Sequence, residues 1–301
     1  MPTPLVRRLY AITAIATFLT VMLGAVNSAT ESGMACPTWP GCYPEKFGPV
    51  AEIHPLIEFV HRVVAFSTGP LLLAAAVAGL RLGRQHLRAK ILPWLAIACA
   101  GVSAICGAIV VLHGLPRAWA VVDLGCALIC LLAMNLAWVQ VRQDTPVWPW
   151  TAHSKLAWSA VGLTWAMHLI AMETSGAGSF TACLGWPTWT IIDSDRLPWL
   201  QVVRIVVGLA AGVLLVATAA RAVRTPKLAT HGWTLLGLFA VEMGLGQWIA
   251  VHPSRMWLAA AYCATAAAIL WTLGLLAARV SLMSAASEVV PESERTLDAV
   301  H

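Results

Sequence analysis

With 301 residues, 59% hydrophobic and only 11% charged, this chain is too apolar for a soluble globule, in which about a quarter of residues carry charge. Its apolar runs are continuous rather than alternating, which excludes a transmembrane β-barrel. The formal net charge of +5 comes without basic–aromatic interleaving and gives no ground for a nucleic-acid partner.

Eight stretches, near 9–28, 56–80, 90–112, 118–140, 156–173, 199–220, 232–251 and 256–278, approach or exceed the ~20 residues that cross hydrocarbon as a helix. The expected fold is an all-α integral membrane protein with eight transmembrane helices. The first stretch follows Arg7 and Arg8 as a signal peptide would, but it is long and offers no convincing small-residue cleavage site. Lys and Arg gather on one side of the membrane: Arg7, Arg8, Arg81, Arg84, Arg88, Lys90, Arg142, Lys155, Arg221, Arg224, Lys227, Arg279 and Arg295. The other side has Lys46, Arg117, Arg196 and Arg255. The positive-inside rule then places a multi-pass protein in the cell membrane with both termini cytoplasmic. Residues 281–301 are short and polar and are expected to be a disordered tail.

Between the first two spans, on the outer and oxidising side, lies Cys36-Pro37-Thr38-Trp39-Pro40-Gly41-Cys42. Cys36 and Cys42 are close enough to bridge; two free thiols are the alternative. Cys183 lies in a second outer loop. Cys99, Cys106, Cys126, Cys130 and Cys263 fall inside spans, where cysteine packs as a small apolar residue. No second Cys/His pair has a spacing that suits zinc.

The second span opens Leu56-Ile57-Glu58-Phe59-Val60-His61-Arg62. Ionisable side chains in hydrocarbon cost several kcal/mol unless they meet a partner or a cavity. Glu58 lies one turn before His61 on the same face, and His54 continues the stripe outward. In the fourth span Asp123 has the same expected depth, roughly 7–8 Å below the outer boundary at 1.5 Å per residue. His61, Glu58 and Asp123 can therefore share a site. The competing arrangement pairs Glu58 with Arg62 and leaves His61 a core histidine. Arg62 and Arg204 either snorkel or bind the carboxylates of an anionic cofactor. His168 in the fifth span is a core or a ligand histidine. Glu242, with Gln247 in the seventh span, is a packing element or a proton-linked group. His86, His153 and His231 are expected to be solvated. Trp39, Trp119, Trp148, Trp150, Trp186, Trp189 and Trp199 are expected in interfacial belts.

The two halves repeat. Glu31-Ser32-Gly33 before Cys36-Pro37-Thr38-Trp39-Pro40 matches Glu173-Thr174-Ser175-Gly176 before Cys183-Leu184-Gly185-Trp186-Pro187. Glu58-Phe59-Val60-His61-Arg62 matches Leu200-Gln201-Val202-Val203-Arg204. Four spans per half give both halves one orientation. The expected layout is two pseudo-symmetric four-helix bundles, 1–142 and 143–280, each able to hold a cofactor between its helices.

Leu23-Gly24-Ala25-Val26, Ser32-Gly33, the Cys36–Cys42 loop and Glu58-Phe59-Val60-His61-Arg62 together resemble the haem A synthase family, from about residue 9 to 279. The resemblance implies oxidation of the C8 methyl of haem O to the formyl group of haem A, for cytochrome oxidase. It implies four histidine ligands on the even-numbered spans, one pair for the substrate haem in the first bundle and one for a haem b in the second. Carried over, His61 is a haem ligand, Glu58 the group assisting oxidation or proton transfer, and Cys36–Cys42 the loop disulfide. Haem O synthase, oxidase assembly factors and a second copy of the chain are the implied partners, with membrane lipid around them.

The chain departs from the family at three ligand positions, where Asp123, Val203 and Trp257 stand in place of histidine. That puts haem b in the second bundle in doubt and leaves Asp123 as a second-side group in the first. The competing functions are a non-catalytic haem-binding or oxidase-assembly protein and, further off, a transporter. Against the transporter, no pair of Gly/Pro-broken helices occupies matching places in the halves.

Overall fold

A computed structural model describes residues 2–113, 117–143, 150–174, 186, 198–252 and 256–288. Trp148, Cys183, Trp189, Arg196, Arg255 and the tail beyond Glu288 lie outside the described residues. Within them the fold is all-α. The long helices are α1 (Pro4–Ala29), α2 (Ile53–Gly79), α3 (Leu87–His113), α4 (Arg117–Val141), α5 (Ala152–Thr174), α6 (Pro198–Val223), α7 (Ala229–Val251) and α8 (Met256–Glu288). A 3-10 turn, Arg84–His86, leads into α3. It buries His86 instead of leaving it solvated, because the tight turn tucks the ring inward. Helix α8 runs past the tail boundary expected at 280, as its Ala-rich sequence continues without Gly or Pro.

Seven of these helices are long and apolar enough to cross a membrane, and α5 is the one that falls short. Its sequence explains the shortfall, since it carries His153, Ser154, Lys155, Ser159, Thr164, His168 and Glu173. Ser154, Thr164, His168 and Thr174 are buried, so much of this polarity faces other helices.

Helices α1, α2, α3 and α4 pack in a closed cycle, each against the next and α4 against α1; α5, α6, α7 and α8 do the same. The two groups meet where α8 packs on α1 and α4, and α4 on α5. At that seam Asn135 Nδ2 donates to the Trp271 carbonyl at 3.0 Å, and Phe18 stacks on Trp271 with centroids 4.8 Å apart. A core of apolar side chains from α1 and α4–α8 runs through the second group.

The chain begins with Thr3 capping α1 by accepting from the Val6 amide, followed by Pro4, whose ring suits the first helical turn. At this end Tyr10 Oη donates to the Ala89 carbonyl at 2.8 Å, and the Ala89 amide donates to Gln140 Oε1 at 2.5 Å, tying α1, α3 and α4 together. Gly79 of α2 faces the Tyr10 hydroxyl, where a β-carbon would stand only 2.6 Å away. At the other end α1 finishes at Ala29 and the chain enters the loop through Glu31, whose φ of 54° lies in the left-handed region.

Candidate functional site

The site is built where α1 ends and α2 begins, under the loop between them. Cys36 and Cys42 are joined in a disulfide, and both are fully buried. Beneath it, Glu58 and Arg62 form an ion pair one helical turn apart. Glu58 Oε2 accepts from the Cys36 amide at 2.7 Å and Oε1 accepts from Arg62 Nη2. Arg62 Nη2 also donates to the Cys36 carbonyl at 3.0 Å, and Nη1 donates to the carbonyls of Thr38 at 2.5 Å and Gly41 at 2.7 Å. Neither side chain snorkels: Glu58 is 2% and Arg62 7% exposed. Arg62 spends its terminal donors on loop backbone and on Glu58. A buried charge pair is stable only when hydrogen bonds satisfy it in this way. The pairing weighed against a shared carboxylate site is therefore the one observed.

His61 departs from that arrangement. Its ring leans on α1, where Gly24 makes room: a β-carbon there would stand 3.0 Å from His61 Cε1. Its Nδ1 is buried without a hydrogen-bond partner. Toward this end of the four helices many residues are only partly buried. Met22 through Asn27 on α1 are all half-buried, as are Ile57, His61, Val64 and Ala65 on α2, Ser103 and Gly107–Ile109 on α3, and Val121, Asp123 and Leu124 on α4. The tight apolar core of this helix group lies toward its other end, around Tyr10, Leu72, Ala96 and Met134.

Asp123 belongs to the seam between α3 and α4. Ser103 Oγ donates to its backbone carbonyl at 3.1 Å, and its carboxylate lies within electrostatic reach of Cys106. Among the described residues no hydrogen bond or ion pair joins it to His61 or Glu58. His54 is exposed and its Nδ1 meets Ser32 Oγ at 3.0 Å, so it holds the loop and does not continue a stripe toward His61. No group of three or more His, Cys, Asp or Glu among the described residues is arranged to hold a metal ion by itself.

In the second helix group Arg204 is 1% exposed, and neither snorkels nor reaches the surface. Its neighbours include Tyr262 of α8 and His168 of α5, whose Nδ1 donates to the Thr164 carbonyl at 2.6 Å. Glu242 of α7 is fully buried, with neither oxygen hydrogen-bonded. Trp186 is not interfacial. It is buried, its indole N–H donates to the Gly208 carbonyl at 2.8 Å, and its carbonyl accepts from Tyr262 Oη. A tryptophan reaches the interior when its N–H finds a partner there. Tyr262 was missed in the sequence because a lone tyrosine in an Ala-rich run looks like packing.

No family model matches the chain. It is 27% identical over 268 residues to a haem A synthase of Bacillus licheniformis, covering 81% of this chain and 85% of that protein. It is 26% identical over 216 residues to a haem A synthase of Exiguobacterium sibiricum, covering 67% of this chain and 71% of that protein. A protoheme IX farnesyltransferase of Haloarcula marismortui is 40% identical over 87 residues, which take in 28% of this chain and only 18% of that protein. Matches of this length, with the loop and the Glu58–Arg62 segment inside one membrane fold, make the chain a distant homologue of the haem A synthases.

Proposed function

We propose that the chain is a haem-handling membrane oxidoreductase of haem A synthase type, which takes haem O between α1, α2, α3 and α4 and oxidises its C8 methyl to formyl. The observation that carries this reading is His61: its ring sits on Gly24 beside the Thr20 backbone, with Nδ1 buried and without a hydrogen-bond partner, in a partly buried stretch of its helix group. An orphaned buried nitrogen costs about 1–3 kcal/mol unless something binds it. Such a nitrogen would suit a haem iron as a ligand. Homology over most of the chain supports the same substrate.

The haem iron, when bound, supplies the oxidising chemistry. The chain's own residues hold and shape the site. His61 fixes the macrocycle from α2. Glu58 and Arg62 lock the disulfide loop over the mouth of the helix group and limit water entry. Conversion of a methyl to a formyl group is a four-electron oxidation that takes one oxygen atom and, with dioxygen as the oxidant, gives water. Glu58, three residues from His61, is the acid/base candidate for the proton transfers within it, and in the geometry observed it positions the loop first. Asp123 is the polar group on the α4 side. Arg62, with its terminal donors engaged, is not the partner for haem carboxylates.

All eight helices span the membrane, including α5, whose 23 residues would extend about 35 Å. The two closed helix cycles are pseudo-symmetric bundles, and the loop end faces outward with both termini cytoplasmic. Haem O is the substrate, and haem O synthase, oxidase assembly factors or a second copy of the chain are its partners.

The test is to supply haem O to membranes containing the protein and to analyse extracted haem for the formyl product. Product that disappears in His61→Ala supports the enzyme. Stoichiometric haem binding through His61 without conversion supports the second reading, a non-catalytic haem-binding or oxidase-assembly protein. That reading is favoured by Asp123, Val203 and Trp257 standing where the family has histidine. A protein that binds no haem sinks both.

A further inference from the structure

The family resemblance implies a second haem among α5–α8. Four polar side chains, one from each helix, lie at similar depth: His168, Arg204, Glu242 and Tyr262. His168 is six residues from the end of α5, Arg204 six from the start of α6, and Tyr262 six from the start of α8. Glu242 is nine residues from the end of α7 and His61 eight from the start of α2, all within about one helical turn of each other in depth. The inward faces are buried without a break: Ala160, Thr164, Met167, His168, Ala171 and Thr174 on α5; Gln201, Arg204, Gly208, Ala211 and Gly212 on α6. Glu242, Gly246 and Ile249 continue the surface on α7, and Ala259, Tyr262, Cys263 and Ala266 on α8. Residues beside these faces are partly buried, as around His61, among them Trp165, Leu169, Val207 and Met243.

Trp186 fills the interior. It touches three helices: its N–H meets the Gly208 carbonyl of α6, its ring meets Phe239 of α7 edge-on with centroids 5.1 Å apart, and its carbonyl accepts from Tyr262 of α8. Gly212 seats it, since a β-carbon there would lie 3.4 Å from the indole nitrogen. The donor set also argues against a tetrapyrrole. His168 is the only histidine on the buried faces of α5–α8 among the described residues, and a guanidinium lies close by. Its bond to the Thr164 carbonyl is one that a ligating histidine also makes, so the bond alone decides nothing. Space decides: a macrocycle cannot enter an interior closed by a buried phenol and guanidinium and, deeper, by an indole.

We infer that α5–α8 bind no haem, and that Trp186, its indole inserted among α6–α8 deeper than a buried cluster of His168, Arg204, Glu242 and Tyr262, fills the interior that a second cofactor would need. This half is then a self-filled scaffold that packs against α1 and α4, and the protein carries at most one haem, on His61. The limit of one haem rests on the proposed function; the closed interior does not.

Two measurements separate these claims. Haem per chain, by pyridine haemochrome on purified protein saturated with haem, is expected to be at most one, with none in His61→Ala. Two haems per chain, or haem retained by His61→Ala, overturns the inference. Wild-type protein that binds no haem overturns the proposed function but leaves the interior to the second measurement. There, Trp186→Ala in haem-free, detergent-solubilised protein is expected to lower Tm by about 10 °C, because a buried indole leaves a cavity. Trp186→Phe is expected to recover about half of that loss. Unchanged Tm in Trp186→Ala means the indole is not seated inside and overturns the inference.

Discussion

Glu58 and Arg62 grip opposite sides of one residue. The Cys36 amide donates to Glu58 Oε2 at 2.7 Å, while the Cys36 carbonyl accepts from Arg62 Nη2 at 3.0 Å. The ion pair on α2 is therefore also a clamp on the disulfide loop, and each charge is satisfied by the loop as well as by its partner. Either side chain alone would leave a charge buried without its counter-ion. The pair explains how α2 accommodates two ionisable groups at membrane depth before any ligand is considered.

Arg62→Ala is accordingly expected to destabilise the protein by about 3–5 kcal/mol, the usual result of leaving half of a buried pair behind. It should also make the Cys36–Cys42 bond accessible to mild reductant, read by alkylation and mass shift. Arg62→Lys should not rescue it, since one ammonium cannot reach Thr38, Gly41 and Cys36 carbonyls as well as Glu58. Full stability in Arg62→Lys would mean that charge, and not the fork of donors, holds the loop.

Removal of the disulfide should matter less than removal of the clamp. Cys36 and Cys42 are separated by six positions, and closing so short a loop contributes about 2 kcal/mol in the chain-entropy account. The double variant Cys36→Ser/Cys42→Ser is thus expected to retain a higher Tm than Arg62→Ala, by thermal unfolding in the same detergent. The reverse order would make the covalent bond, and not the guanidinium, the main restraint.

The helices were legible in the sequence because long apolar runs need no tertiary information. The Glu58–Arg62 pair was legible from its spacing of four only as the alternative to a site shared by His61, Glu58 and Asp123. What the pair holds was not, because its partners are backbone groups of Cys36, Thr38 and Gly41, which any sequence would supply. Asp123 shows the same limit in another form: counting residues gives depth along a helix, while its direction toward Ser103 and Cys106 depends on how α4 is rotated against α3. Trp186 looked interfacial because it lies between two apolar runs of the sequence, and only its bonds to Gly208 and Tyr262 reveal that this side chain lies inside.

Gly24 supplies a test of the His61 geometry that does not remove the ligand. A methyl group at this position would press on Cε1 from 3.0 Å, tighter than ordinary contact, so the ring must turn or α1 must shift. Gly24→Ala is expected to reduce haem occupancy or shift the Soret band while the far-ultraviolet circular dichroism stays helical. Gly24→Val should abolish binding. An unaltered spectrum in both would place the haem on a different face of His61 or elsewhere.

Glu242 has both carboxyl oxygens buried without hydrogen-bond partners, beside Tyr262. Its side chain gains little locally from its oxygens, so Glu242→Gln is expected to change stability by less than about 1 kcal/mol. Tyr262→Phe, which removes the donor to the Trp186 carbonyl, should cost about 1–2 kcal/mol. Unfolding of both variants under identical conditions gives the comparison, and a larger loss for Glu242→Gln would assign the carboxyl a partner.

The other end of the first helix group gives a prediction on coupling. Tyr10 and Gly79 touch so closely that a β-carbon on Gly79 would stand 2.6 Å from the Tyr10 hydroxyl. Gly79→Ala must displace that hydroxyl from the Ala89 carbonyl, with an overpacking cost of about 1–3 kcal/mol. Tyr10→Phe removes the same hydrogen bond and should cost about 1 kcal/mol. The two losses share one atom. In the double variant the hydroxyl is gone, the new methyl group has space, and the bond cannot be lost twice. The combined cost is therefore expected to fall below the sum by about 1 kcal/mol or more in a double-mutant cycle. Simple additivity would mean that α2 yields to the methyl group by moving its backbone, and that the hydroxyl keeps its place on α3.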